Sequence, residues 1–169
     1  MPKAWVGKLP KEQQVDLQGE EVDTNAPEGW TVDGPRIRDL IKDVIRIAGK
    51  IPELRQTVVA EEELQIVIAH RDKRTGKQKA KQNWHTFAQI LKPRSIFGAI
   101  AEAQDCKLGP FVIEFFPVYF KEPKERQEQI IIHELYHIKV NPTSGKKSLR
   151  PHWGFGDDDV EQLHRKYLQ

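Results

Sequence analysis

The sequence predicts an α+β domain in which an N-terminal helix covers a small three-stranded sheet and a second helix carries a cluster of polar residues. Three observations predict it. Over residues 35–48, Ile37, Leu40, Ile41, Val44, Ile45 and Ala48 recur at helical spacing. Residues 64–70 (L-Q-I-V-I-A-H) and 111–120 (F-V-I-E-F-F-P-V-Y-F) have the β-branched and aromatic content of strands. Residues 130–138 (I-I-I-H-E-L-Y-H-I) set His133, Glu134 and His137 among bulky aliphatics.

At 169 residues the chain has the size of one domain. Residues 1–32 are rich in Lys, Glu, Gln, Asp, Gly and Pro without a sustained period, and read as a flexible or partly ordered lead-in. Residues 33–169 are expected to form the single domain. Pro35 stands where a first helical residue is favoured, with Asp33 as a candidate cap, and Gly49 is expected to end that helix. Residues 94–104 are strand-like, although Ala99, Ala101 and Ala103 weaken the pattern. Gly109 and Pro110 turn into the aromatic run, and Pro117 cannot donate to a ladder, which predicts that this strand lies at a sheet edge or ends there. The histidine-bearing helix is expected over residues 123–140, stopped by Asn141 and Pro142. A polar loop, T-S-G-K-K-S-L-R-P, then leads to His152, and Asp157, Asp158 and Asp159 read as the cap and first turn of a last short helix striped by Val160, Leu163 and Tyr167. Glu161 and His164 on that helix are expected at the surface.

Composition excludes several classes. Charged residues make up 31% of the chain but the formal charge is only +2, so bulk electrostatics do not demand a nucleic-acid partner. Cys106 is the single cysteine, which rules out an internal disulfide and a Cys-based zinc ribbon within this sequence. It reads as a buried small residue. No apolar run reaches membrane-spanning length and the first residues lack the apolar core of a secretory signal, which predicts a cytoplasmic protein without a membrane partner.

On a helix, residues four apart stand one above the other, so His133 and His137 can direct both imidazoles at one ion. Glu134 lies about 100° further round, where a general base belongs. Burying two histidines and a glutamate without a partner would cost several kcal/mol, and a metal removes that cost. This H-E-x-x-H spacing is the pattern of zinc peptidases, in which zinc activates a water and polarises the scissile carbonyl while the Glu takes the proton. A third protein ligand is needed, and His152, Glu161, His164 and the three aspartates are its candidates.

H-E-L-Y-H, a polar loop, and a later His followed by a small residue and Phe together resemble the SprT-like (Spartan-type) zinc metallopeptidases and the related putative phage metallopeptidases. In that group the third ligand is a His in an H-G-x-x-F type segment after the active helix. The resemblance implies a zincin-like minidomain, Zn2+ held by His133, His137 and His152, and Glu134 as catalytic base. His152 follows His137 by fifteen positions, and Trp153 intervenes before Gly154. The match is close over residues 130–155, looser back to about residue 95, and adds almost nothing before residue 90.

The expected activity is therefore zinc-dependent hydrolysis of peptide bonds in a protein or peptide substrate. A second reading makes the chain a nucleic-acid-binding protein with structural zinc. It rests on the basic segment R-D-K-R-T-G-K-Q-K-A-K-Q, in which Arg71, Lys73, Arg74, Lys77, Lys79 and Lys81 could follow a phosphate backbone while Trp84, His85 and Phe87 stack on bases. Some members of the SprT-like group cleave proteins attached to DNA, so substrates associated with nucleic acid are a further expectation. A solvated charged loop accounts for the same segment.

Overall fold

The computed structural model describes residues 4–7, 14–15, 21–22, 28–75, 84–93, 109–152 and 154–169. Pro35 opens helix α1, Pro35–Lys50, because its ring already holds a helical φ and its missing N–H is one that the first turn leaves unpaired. The cap position is Gly34, at φ 133°, and Asp33 instead accepts the Gly34 N–H at 2.7 Å. Gly49 stays inside the helix, which ends one residue later when Ile51 turns to an extended conformation. Ile37, Leu40, Val44, Ile47 and Ala48 form its buried stripe.

That stripe rests on a mixed five-stranded sheet. The strands are β1 (Ala4–Gly7), β4 (Glu28–Thr31), β5 (Leu64–Ala69), β9 (Phe111–Phe115) and β8 (Ala88–Leu91), in that spatial order. β5 and β9 run parallel in the register Leu64↔Phe111 to Ile68↔Phe115, and the other pairings are antiparallel. The pairs β2 (Gln14–Val15) with β3 (Glu21–Val22), and β6 (Lys73–Thr75) with β7 (Trp84–Thr86), are separate two-stranded ladders. The three-stranded sheet expected from sequence is thus too small. β4 (E-G-W-T) and β8 (A-Q-I-L) are short and lack a clean alternation, so their ladders depend on partners distant in the chain. β1 and β4 also draw part of the expected N-terminal lead-in into the sheet. The strand-like residues 94–104 and Cys106 lie outside the described residues.

β9 is the most buried strand, with all five residues inside. It ends before Pro117, where a 3₁₀ turn, Pro117–Lys121, begins, but it is interior and not an edge. The edge is β8, because β9 is flanked by β5 on one side and β8 on the other. Gly109, just ahead of β9, has no room for a side chain: a Cβ there would sit 2.7 Å from the Glu63 backbone.

One sheet face carries Leu64, Ile66, Ile68, Phe111, Ile113 and Phe115 against α1 and helix α2 (Lys124–Tyr136), forming the main core with Ile131, Ile132 and Leu135 fully buried. α2 is shorter than expected. Its last residue is Tyr136, His137 caps it in helical geometry, and residues 138–140 leave as β10 (Ile138–Val140), which pairs with β11 (Lys147–Leu149). The apolar period continues past residue 136, but the turn between the strands overrides it. Asn141 Oδ1 accepts the Thr143 and Ser144 N–H groups at 2.9 Å each, and Gly145 takes a left-handed φ of 68°.

Helix α3, Asp157–Tyr167, has the three aspartates in its first turn as expected, but the cap position is Gly156 and not an aspartate; Asp159 Oδ2 reaches back to accept the N–H of Gly156 at 2.7 Å. Glu161 is at the surface, paired with Arg165 at 2.8 Å. His164 is not, being 2% exposed. Its Nε2 lies 2.8 Å from Glu128 on α2, whose other oxygen takes Arg46 of α1 at 2.6 Å, and Asp43 completes the network with Arg46 and Lys124. One carboxylate thereby ties three helices together. Burial alone would raise the pKa of Glu128, but its hydrogen bonds to His164 and Arg46 outweigh this and hold it below the usual carboxylate value. A depressed carboxylate stabilises the fold above its unfolded pKa and stops doing so as pH falls through its folded value. Glu128→Gln is therefore expected to cost about 1–3 kcal/mol at neutral pH. In urea titrations the gap from wild type should shrink progressively below about pH 4.5, the ordinary value for this side chain. A pH-independent gap would refute this account.

Candidate metal centre

The end of α2 and the β10–β11 hairpin together build the site. His133 projects from the last turn of α2, and His137 keeps helical geometry at the cap, so its ring stays on the same face. The hairpin then reverses the chain and returns His152 to them. The ring centroids are 5.2 Å apart for His133 and His137, 4.7 Å for His133 and His152, and 4.4 Å for His137 and His152. One nitrogen from each ring lies within 4.8 Å of the other two. Of the third-ligand candidates, His152 is the one brought to the pair. His164 is held by Glu128, and Glu161 by Arg165.

Arg150 locks this reversal. Its N–H donates to the His137 carbonyl at 2.8 Å and its Nε to the Tyr136 carbonyl at 2.8 Å, while its guanidinium covers the Tyr136 ring at 4.7 Å. Its own carbonyl lies 2.8 Å from His137 Nδ1. An acceptor there places the proton on Nδ1 and leaves Nε2 with a free lone pair. Phe155, reached through Gly154 at φ 80°, stacks against His152 at 8° and meets His133 and His137 edge-on. This ring packs the three imidazoles from one side.

The electrostatics suit a cation. Burial first, and then the neighbouring His137 and His152, push the His133 pKa down to about 4, and burial also lowers that of His137. Both rings are neutral at pH 7, the form that binds metal. Three imidazoles whose nitrogens lie within 4.8 Å of one another are a donor set that fits a divalent ion such as zinc. Glu134, the next residue on the helix, is buried and accepts the Ile90 N–H of β8 at 2.8 Å. Burial pushes its pKa up to about 8 against the lowering effect of that hydrogen bond. A cation among the histidines would favour its ionised form.

A cleft of about 610 Å³ opens over these groups, with β8 along one wall, α2 as its floor, and Arg150, His152 and Asp157 around the histidines. Sequence reasoning missed Arg126 and Gln129, which also line it. The available signal was spacing: Arg126 precedes His133 by seven positions, two helical turns, and so shares its face.

Of the basic segment, residues 71–75 are among those described. Arg71 and Lys73 are not in the cleft wall. Asp72, which was expected in an exposed loop, is buried and accepts the Val118 N–H at 2.8 Å, and Lys73 donates to Gln89 at 3.0 Å. Arg74 lies in β6 opposite His85, while Lys77, Lys79 and Lys81 fall outside the described residues. No helix among the described residues is long and apolar enough to cross a membrane.

A family model described as putative phage metallopeptidase matches residues 31–166. No curated protein and no solved structure matches the chain.

Proposed function

The chain belongs to the putative phage metallopeptidase family, and from that membership we propose that it is a zinc peptidase of SprT-like type, with its catalytic domain in residues 33–169. The observation that carries the reading is the convergence of His133, His137 and His152 beside the buried carboxylate of Glu134. His133, His137 and His152 would hold the ion. Zinc bound there would supply Lewis-acid chemistry, activating water and polarising the scissile carbonyl.

The chain's own residues do the rest. Glu134 accepts a proton from the attacking water on its carboxylate and delivers it to the leaving amide nitrogen. β8 is the sheet edge nearest the helix. Since Ile90 directs its N–H away from β9 toward Glu134, alternation turns Ala88 the same way, so the Ala88 N–H and C=O and the Ile90 C=O are the main-chain groups offered to an extended peptide. That pairing would hold a scissile bond over the three histidines. Arg150 keeps His137 oriented through its carbonyl and anchors the hairpin that delivers His152. Asp72 and Lys73 of the basic segment are bonded to Val118 and Gln89, so these two residues lend no separate support to a nucleic-acid partner, and the proposal stops at protein substrates.

The test is cleavage of denatured casein by the zinc-loaded full chain, followed by gel and mass spectrometry. Activity is expected to disappear with a chelator and to return with about one equivalent of zinc. Cleavage that survives metal removal, or tight zinc binding with no cleavage of casein, would overturn the peptidase reading.

A further inference from the structure

Arg126 is a half-buried cation on the α2 floor of the cleft, and among the described residues no carboxylate neutralises it. Its guanidinium carbon lies 5.9 Å from the centre of the Phe87 ring, and its Nη1 donates to Gln129 Oε1 at 3.3 Å. Among the described residues those are its contacts, and no carboxylate pairs with it. By contrast, Arg46 is engaged with Asp43 and Glu128, Lys124 with Asp43, and Arg150 with the Tyr136 carbonyl. Asp157 also faces the cleft, from the first turn of α3, without coming within ion-pair distance of Arg126. A guanidinium resting near a ring face keeps several N–H donors free in the fork geometry that carboxylates fit.

Position gives this cation a meaning for a bound peptide. Seven residues of helix place Arg126 roughly 10 Å from His133 along α2. An extended chain advances about 3.4 Å per residue. The relative direction of β8 and α2 is also set. Phe87, just before β8, lies beside Arg126, and Ile90, within β8, lies beside Glu134, so β8 and α2 run the same way. A peptide antiparallel to β8 has its C-terminal part toward Arg126.

We propose that Arg126, supported by Gln129, forms a carboxylate-binding subsite that engages a substrate roughly two to four residues to the C-terminal side of the bond to be cut. The ligand is a carboxylate, from an Asp or Glu side chain or from the chain terminus. The inference rests on the peptidase reading and assigns a specificity to it.

Two measurements on the zinc-loaded full chain test it. Casein fragments released by wild type and by Arg126→Gln are sequenced by mass spectrometry. Wild type is expected to enrich Asp, Glu or a free C-terminus in the stated window, and the enrichment should fall roughly tenfold in Arg126→Gln, the order lost with one charged hydrogen-bonding partner. In parallel, binding of N-acetyl-Ala-Ala-Glu-Ala-amide is compared with its Gln counterpart, and N-acetyl-tetra-alanine free acid with its amide, following the Arg126 Nε–H resonance. The first pair reports a side-chain carboxylate and the second a terminal one. Cleavage without acidic enrichment, or with enrichment unchanged in the variant, overturns the subsite and leaves the peptidase. Carboxylate binding that requires Arg126 in a protein that cleaves nothing keeps the subsite and rejects the peptidase. Equal or absent binding of all four peptides, with no cleavage, rejects both.

Discussion

Glu134→Gln is expected to slow peptide hydrolysis by roughly 10²–10⁴-fold, the range associated with a positioned general base, while metal content stays at the wild-type level. The substitution keeps a carbonyl oxygen where Glu134 accepts the Ile90 N–H, so the bridge between α2 and β8 survives. What it removes is the ability to take a proton. The measurement is steady-state cleavage alongside elemental analysis of the same preparations. Turnover retained at full rate would take Glu134 out of the chemistry, and loss of metal together with turnover would show that it supports the ion instead.

The same substitution has an effect on stability that can be read without activity. In metal-stripped protein the Glu134 pKa is raised to about 8 by burial from an ordinary value of 4.5. Between those values the unfolded chain has released a proton that the folded chain retains, so folding stability falls as pH rises through the window. Glu134→Gln carries no such penalty. Metal-free variant should therefore gain on metal-free wild type from about pH 4.5 to about pH 8, and denaturant titrations across that range would detect it.

His152→Ala is expected to lose metal almost entirely, from about one equivalent per chain in wild type, and to lose cleavage with it. Removing an outer partner of a ligand commonly costs 10–100-fold in affinity, and removing one of three protein ligands should cost more. His164→Ala is the matched control. It deletes a more deeply buried histidine, but one held by Glu128 and away from the cluster, so its occupancy should match wild type even if stability drops. Full zinc occupancy in His152→Ala would return the third-ligand role to another group and remove the hairpin from the site.

Much of the local architecture was legible. The α1 stripe, the β5 and β9 cores, and the acidic first turn of α3 all follow from periods and helix-end residues within a few positions of one another. Errors came where distant partners decide. Ile138 and Val140 continue the helical pattern of α2, but pairing with Leu149 and Lys147 makes them a strand. The Phe111 run looked like an edge because Pro117 limits its ladder, yet β8, from a short run without a clean alternation, pairs outside it. His164 stands on a polar helix face that reads as surface, and its burial follows from Glu128 and Arg46 on two other helices.

The sequence by itself determined that His133, Glu134 and His137 share one end of a helix, because residues one and four apart have a relation set by the helix alone. It also placed the candidates for a third ligand, His152, Glu161, His164 and the three aspartates, in the last part of the chain. Only the tertiary structure decided that His152 meets the pair, that Arg150 orients His137, and that Arg126 faces Phe87 across a cleft. Those contacts depend on a hairpin reversal and on the order of strands in a sheet, and such long-range pairings are stabilised by elements that no single stretch of sequence contains.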